Sequence, residues 1–194
     1  MIYNNYNKNN RNFINPFSPQ FPASPDYFAD RKEAITYFTR TIASSAKLRP
    51  PAPTNFIILG EWGIGKTSLL YKFKEIALMQ LPQVKPFCFH FTLNPTCCRS
   101  WDVFTSIFLN QLKQNYEASA TLKEKLRSEL LKWKISVSIP LVSIEREKKE
   151  EIPSLADSLD SLWKKHLEPS GVDIGLLFLD DVHYFLVAPN TYFI

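Results

Sequence analysis

The stretch Phe56-Ile57-Ile58-Leu59-Gly60-Glu61-Trp62-Gly63-Ile64-Gly65-Lys66-Thr67-Ser68 decides how the rest of the chain is organised. Its first four residues form a continuous apolar run of the kind expected for a strand buried on both faces. The next eight follow the spacing G-x-x-x-x-G-K-T. After them Leu69, Leu70, Phe73, Ile76 and Ala77 recur at helical spacing. Strand, glycine loop and helix in that order form the context in which this spacing holds phosphate groups. Glycines allow the loop backbone positive φ angles and a close approach to a ligand. Successive N–H groups then converge at the positive end of the following helix. Lys66 is placed to reach the β- and γ-phosphates, and the Thr67 hydroxyl to hold Mg²⁺. By composition alone the pattern arises in about one per cent of chains of this length. Gly60, Glu61, Trp62, Gly63, Ile64, Gly65, Lys66, Thr67 and Ser68 are therefore the candidate nucleotide-binding residues, with ATP and Mg²⁺ as the expected ligands.

A second stretch supports the first. Gly175-Leu176-Leu177-Phe178-Leu179-Asp180-Asp181 is another apolar run, and it ends in two carboxylates. In parallel α/β sheets, ligands lie beyond the carboxyl ends of the strands. Asp180 is thus the candidate Mg²⁺ partner alongside Thr67. Asp181 joins Lys66 as a candidate catalytic residue, polarising an attacking water.

Between these stretches, Phe87, Phe89, Phe91 and Leu93 alternate with Cys88, His90 and Thr92, which predicts a core strand over 85–93. Helices are predicted from about Ser100, from Thr121 (T-x-x-E to Glu124) and from Ser154 (to Asp157). An upstream D-x-x-E, Asp30 to Glu33, predicts another helix start. Ile135, Val137 and Ile139, then Val142 and Ile144, alternate around Pro140 as in a hairpin or bent strand. Residues 1–26, rich in Asn and Pro, read as a disordered or loosely docked arm, and 27–194 as the ATPase domain portion.

Composition bounds the setting. The 194 residues, 45% of them hydrophobic, suit a single globular domain. A formal charge of +4 is spread along the chain without the concentrated patch of a nucleic-acid binder. Cys88, Cys97 and Cys98 match neither a disulfide framework nor zinc spacing. With no signal segment and no apolar run of membrane-spanning length, the expected location is cytoplasmic and no membrane partner is expected.

Taken together, Gly60–Thr67, Leu176–Asp181 and the upstream Pro25-Asp26-Tyr27-Phe28-Ala29-Asp30-Arg31-Lys32-Glu33 resemble the AAA+-related ATPases of archaeal and STAND type, near the origin-recognition ATPases. The stretch Asn15-Pro16-Phe17-Ser18-Pro19 is similar to their N-terminal arm, and Lys134–Glu147 to an insert found in them. The resemblance implies a P-loop NTPase (ASCE/AAA+-like) three-layer α/β/α fold with a parallel sheet. It also implies a role for Arg31 near the adenine, and identifies Gly60–Thr67 and residues 176–181 as the Walker A and Walker B motifs. Two departures stand out: Asp181 occupies a position where glutamate is usual, and the sheet and lid expected after Walker B do not fit into Val182–Ile194. The expectation is an ATPase truncated after Walker B. DNA binding, a protein partner or a homo-oligomer rest on the resemblance alone. Two readings stand at this point: an ATPase switch, and a non-hydrolysing nucleotide-binding or interaction fragment.

Overall fold

In the computed structural model two strands, β1 (Pro86–Thr92) and β2 (Ile174–Asp180), pair in parallel with Pro86 opposite Ile174 and Thr92 opposite Asp180. Residues 21–48, 53–81, 83–132 and 154–187 are described. Around the strands lie the helices α1 (Lys32–Ser45), α2 (Lys66–Glu75), α3 (Trp101–Asn115), α4 (Ala120–Lys132), α5 (Leu155–Leu162) and the short α6 (Tyr184–Val187).

Strand alternation sorts the core into two halves. Phe87, Phe89 and Phe91 point to one face of the sheet, where they meet Phe104, Phe108 and Leu112 of α3, Leu126 of α4 and Leu162 of α5. The intervening Cys88, with Ile174 and Phe178 of β2, points to the other face and packs on Phe38 and Ile42 of α1 and Leu69 and Phe73 of α2. Helices therefore cover both faces, and the chain is a mixed α/β protein. Aromatic rings carry much of the packing: Phe89 and Phe91 each meet Phe108 edge-on at 5.2 and 5.3 Å, and Phe38 stacks on Phe73 at 4.2 Å. Each such ring contributes on the order of 2 kcal/mol by burial.

Two helix starts form as the sequence predicts. The Ser100 hydroxyl accepts from the Val103 N–H at 3.2 Å, and Ser154 from Asp157 at 3.1 Å, each satisfying a donor that the first turn leaves open. Thr121 is not a cap. The Lys123 N–H already donates to Ser119 O, so α4 begins before it. Nor does Asp30 cap α1. Asp30 and Arg31 both take left-handed backbone, with φ of 71° and 56°, and Arg31 flanks the first turn without a side-chain bond to it. The D-x-x-E spacing is present, but the backbone turn required to aim Arg31 elsewhere removes the capping geometry.

The run Phe56–Leu59 also departs from expectation. It forms no ladder with β1 or β2. Phe56 and Ile58 pack into the α1–α2 half of the core, whereas Ile57 and Leu59 are 80% and 84% exposed. The strand expected at these residues is not formed among the described residues, and the run is covered on one side and open on the other. The outer edge of β1 is closed by Cys88 and Glu117, which exchange backbone hydrogen bonds of 2.8 and 2.7 Å. The far edge of β2 pairs with nothing among the described residues, and Leu177 and Leu179 beside it are partly exposed.

The described end of the N-terminal arm is anchored. Pro25–Tyr27 forms a 3-10 turn, the Ala23 N–H donates to Ser68 Oγ at 3.0 Å, and Lys72 Nζ donates to Pro25 O at 3.1 Å. Residues 1–20, the 135–144 alternation and the Lys134–Glu147 insert lie outside the described residues. No helix among the described residues is long and apolar enough to cross a membrane. The three cysteines are buried and unpaired. Burial, with Glu117 adding to it and Lys74 opposing, pushes the Cys88 thiol up to about 12, so it packs as a small apolar group.

Candidate functional site

The candidate loop runs from Gly60 to the first turn of α2, and its backbone is shaped for close approach. Gly60 has φ of 154°, and a Cβ there would sit 3.0 Å from Ile64 Cγ2. Gly65, at φ 87°, turns the chain directly into α2 in a conformation that a side chain would strain. Trp62 and Gly63 form a tight turn between Glu61 and Ile64, and the first bond into α2 comes from the Leu69 N–H to Gly65 O. The N–H groups of the first turn of α2 precede that bond, and a helix N-terminus of this kind is suited to an anion.

Lys66 curls back over this loop. Its Nζ donates to Gly60 O at 3.0 Å and to Glu61 O at 2.7 Å. From the other side Arg31 Nη2 donates to Ile64 O at 2.7 Å. The left-handed turn at Asp30 and Arg31 thus aims the guanidinium at the loop backbone. The Thr67 hydroxyl bonds to no described residue, whereas Thr39 and Thr41 tie theirs to the carbonyls of Ile35 and Tyr37. Ser68 is different: it is buried and its Oγ holds the arm through Ala23. Only its backbone faces a ligand role. Trp62 is 89% exposed and covers nothing.

The carboxylates at the end of β2 divide in environment. Asp180 is buried, and its Oδ1 accepts from the Asp181 N–H at 3.0 Å. Its Oδ2 lies 4.0 Å from His90 Nε2. Asp181, at φ 54°, turns away, and its Oδ1 lies 3.8 Å from Nδ1 of the half-exposed His183. Asp30, Arg31 and Asp181 are the non-glycine residues with positive φ among those described; Arg31 and Asp181 are candidate site residues and Asp30 precedes Arg31 directly. Backbone strain of this kind, about 1 kcal/mol or more per residue, gathers where position matters more than stability.

Side-chain contacts fix how the two parts face each other. The Tyr71 ring lies 4.9 Å from that of His90, and Lys74 pairs with Glu117, which bridges Cys88. Moving forward along α2 therefore moves backward along β1, so the two run antiparallel. Thr67 is one helical turn before Tyr71, about 6 Å. Asp180, opposite Thr92, is two strand positions beyond the level of His90, about 7 Å. The start of α2 thus lies level with Asp180, and Thr67 is on the Tyr71 face of the helix.

His90 is the residue that spacing undervalued; the alternating run reads most simply as core. The parity of that same run contained the signal, because it sets His90 opposite to Phe89 and Phe91, on the α2 face. Burial holds its imidazole below the ordinary value, as does Lys74, with Asp180 and Glu117 opposing. Its Nε2 is buried with no hydrogen-bond partner. Comparison with protein-family models, curated proteins and solved structures gave no match to this chain.

Proposed function

We propose that this chain is an ATP-binding P-loop module of AAA+/STAND type that takes Mg-ATP at Gly60–Thr67. The observation that carries the reading is the glycine-bent backbone that opens α2, with Lys66 Nζ folded onto Gly60 O and Glu61 O. Phosphate oxygens satisfy the N–H groups of the first turn of α2, and Lys66 exchanges two neutral carbonyls for charged acceptors. The residues present fit a Mg²⁺ ion: a free hydroxyl at Thr67, a buried carboxylate at Asp180, and an orphaned buried nitrogen facing that carboxylate. The ion, when bound, neutralises phosphate charge. Asp181, turned outward and tied only loosely to His183, polarises the attacking water. Arg31, bonded to Ile64 O, makes the loop sensitive to the segment before α1, and hydrolysis then switches that contact. ATP is taken as the nucleotide from the resemblance of Gly60–Thr67 and Leu176–Asp181 to the AAA+-related ATPases.

The test is titration of the full chain with a fluorescent ATP analogue, with Mg²⁺ and then in EDTA, followed by phosphate release. Saturable binding strengthened by Mg²⁺, competed by ATP and ADP but not AMP, is expected. Turnover should fall at least about 10-fold in Asp181→Asn while binding persists. Absence of saturable binding at millimolar nucleotide rejects the reading, and binding with no phosphate release reduces it to a non-hydrolysing module.

A further inference from the structure

Asp180 is held by one certain bond and one near approach. The Asp181 N–H secures Oδ1 at 3.0 Å, while Oδ2 has only His90 Nε2 opposite, at 4.0 Å. That separation is about 1 Å beyond hydrogen-bond range. The two side chains retain only 11% and 9% exposure, and Nε2 is fully enclosed without a partner. A buried ring nitrogen with no partner is costly. Facing a carboxylate, it is best placed as a donor, as the Nε2–H tautomer of the neutral ring or as the charged ring. The Tyr71 ring packs on the imidazole from α2, the helix that also carries Thr67, and holds it beneath Asp180.

We infer that His90 is a positioning residue for the Mg²⁺ site, its Nε2–H closing the gap of about 1 Å onto Asp180 Oδ2 when the ion binds, while the Asp181 N–H holds Oδ1, so that the orientation of the carboxylate is fixed. This rests on the reading of Asp180 as the metal partner. Once that gap closes, one lone pair of each oxygen is committed to the protein and the remaining pairs are left for the ion or its waters. Partners of this kind, one shell out from a metal, commonly change metal affinity 10–100-fold when removed.

The experiment compares wild type, His90→Leu, His90→Asn and His90→Gln, reading the Mg²⁺ concentration that half-saturates the Mg²⁺-dependent gain in fluorescent ATP-analogue binding. Glutamine extends its amide nitrogen to the level of Nε2; asparagine stops short of it. Wild type and Gln should agree within about 2-fold, while Leu and Asn should need about 10-fold more Mg²⁺. All four should bind the analogue equally in EDTA. Circular dichroism melting establishes that each is folded, and if Leu unfolds the Gln–Asn difference decides. Equal Mg²⁺ response in all variants, or equal loss in Gln and Leu, overturns the inference. Unfolding of both Leu and Asn assigns His90 to the core instead. Wild-type binding in EDTA that ignores Mg²⁺ removes the role of Asp180 and His90 but leaves the loop. No binding in either condition removes the loop reading itself.

Discussion

Lys66→Ala is expected to weaken binding of a fluorescent ATP analogue by about 100-fold or more, equivalent to roughly 3 kcal/mol. The size follows from what Nζ does in the free protein. It already donates to two carbonyls, Gly60 O and Glu61 O, at the mouth of the loop. Phosphate oxygens in the same place are charged acceptors, and each such bond is worth about 1.5–3 kcal/mol. The loss should therefore fall on affinity and not on folding, because the two bonds are solvent-exposed. Fluorescence anisotropy measures the first and thermal melting the second. An unchanged dissociation constant contradicts the role of Lys66, and a collapse of the melt shows that its bonds are mainly structural.

The largest effect on stability is expected at Phe91→Ala, about 3–5 kcal/mol. Phe91 is 1% exposed, and its ring lies 6.0, 5.8 and 5.3 Å from those of Phe89, Phe104 and Phe108. Removing it opens a cavity between β1 and α3 that three stiff rings cannot refill. Against a total stability of about 5–15 kcal/mol, such a loss leaves little. The urea midpoint should fall by about 2 M. Leu59→Ala is the internal control: at 84% exposure it should change stability by under about 0.5 kcal/mol. If the two substitutions cost the same, the division between the covered and open faces is wrong.

Legibility in the sequence tracked how local each determinant is. β1 and β2 were readable because alternation and apolar runs record which side chains need cover, and their bounds, Pro86–Thr92 and Ile174–Asp180, lie within one residue of expectation at each end. The caps at Ser100 and Ser154 were readable because a hydroxyl reaching an N–H three residues on is a local event. Asp30 shows the limit: identical spacing fails when φ at Asp30 and Arg31 is set by a contact with Ile64, far along the chain. Phe56–Leu59 shows another, since hydrophobicity states what a run can bury but not which neighbour supplies the pairing. The loop and Asp180 were legible as a motif. The approach of His90 to Asp180 depends on strand register and on the direction of α2, which emerge only when the elements pack.

The far side of β2 has a practical consequence. Among the described residues no strand pairs with it, Leu177 and Leu179 are partly exposed, and Ile57 and Leu59 are largely exposed. Neither charge nor proline interrupts Ile174–Leu179, and those are the devices by which edges are kept from zipping onto one another. Concentration is thus a chemical variable for this molecule. Light scattering against concentration is expected to show self-association if that edge is left open.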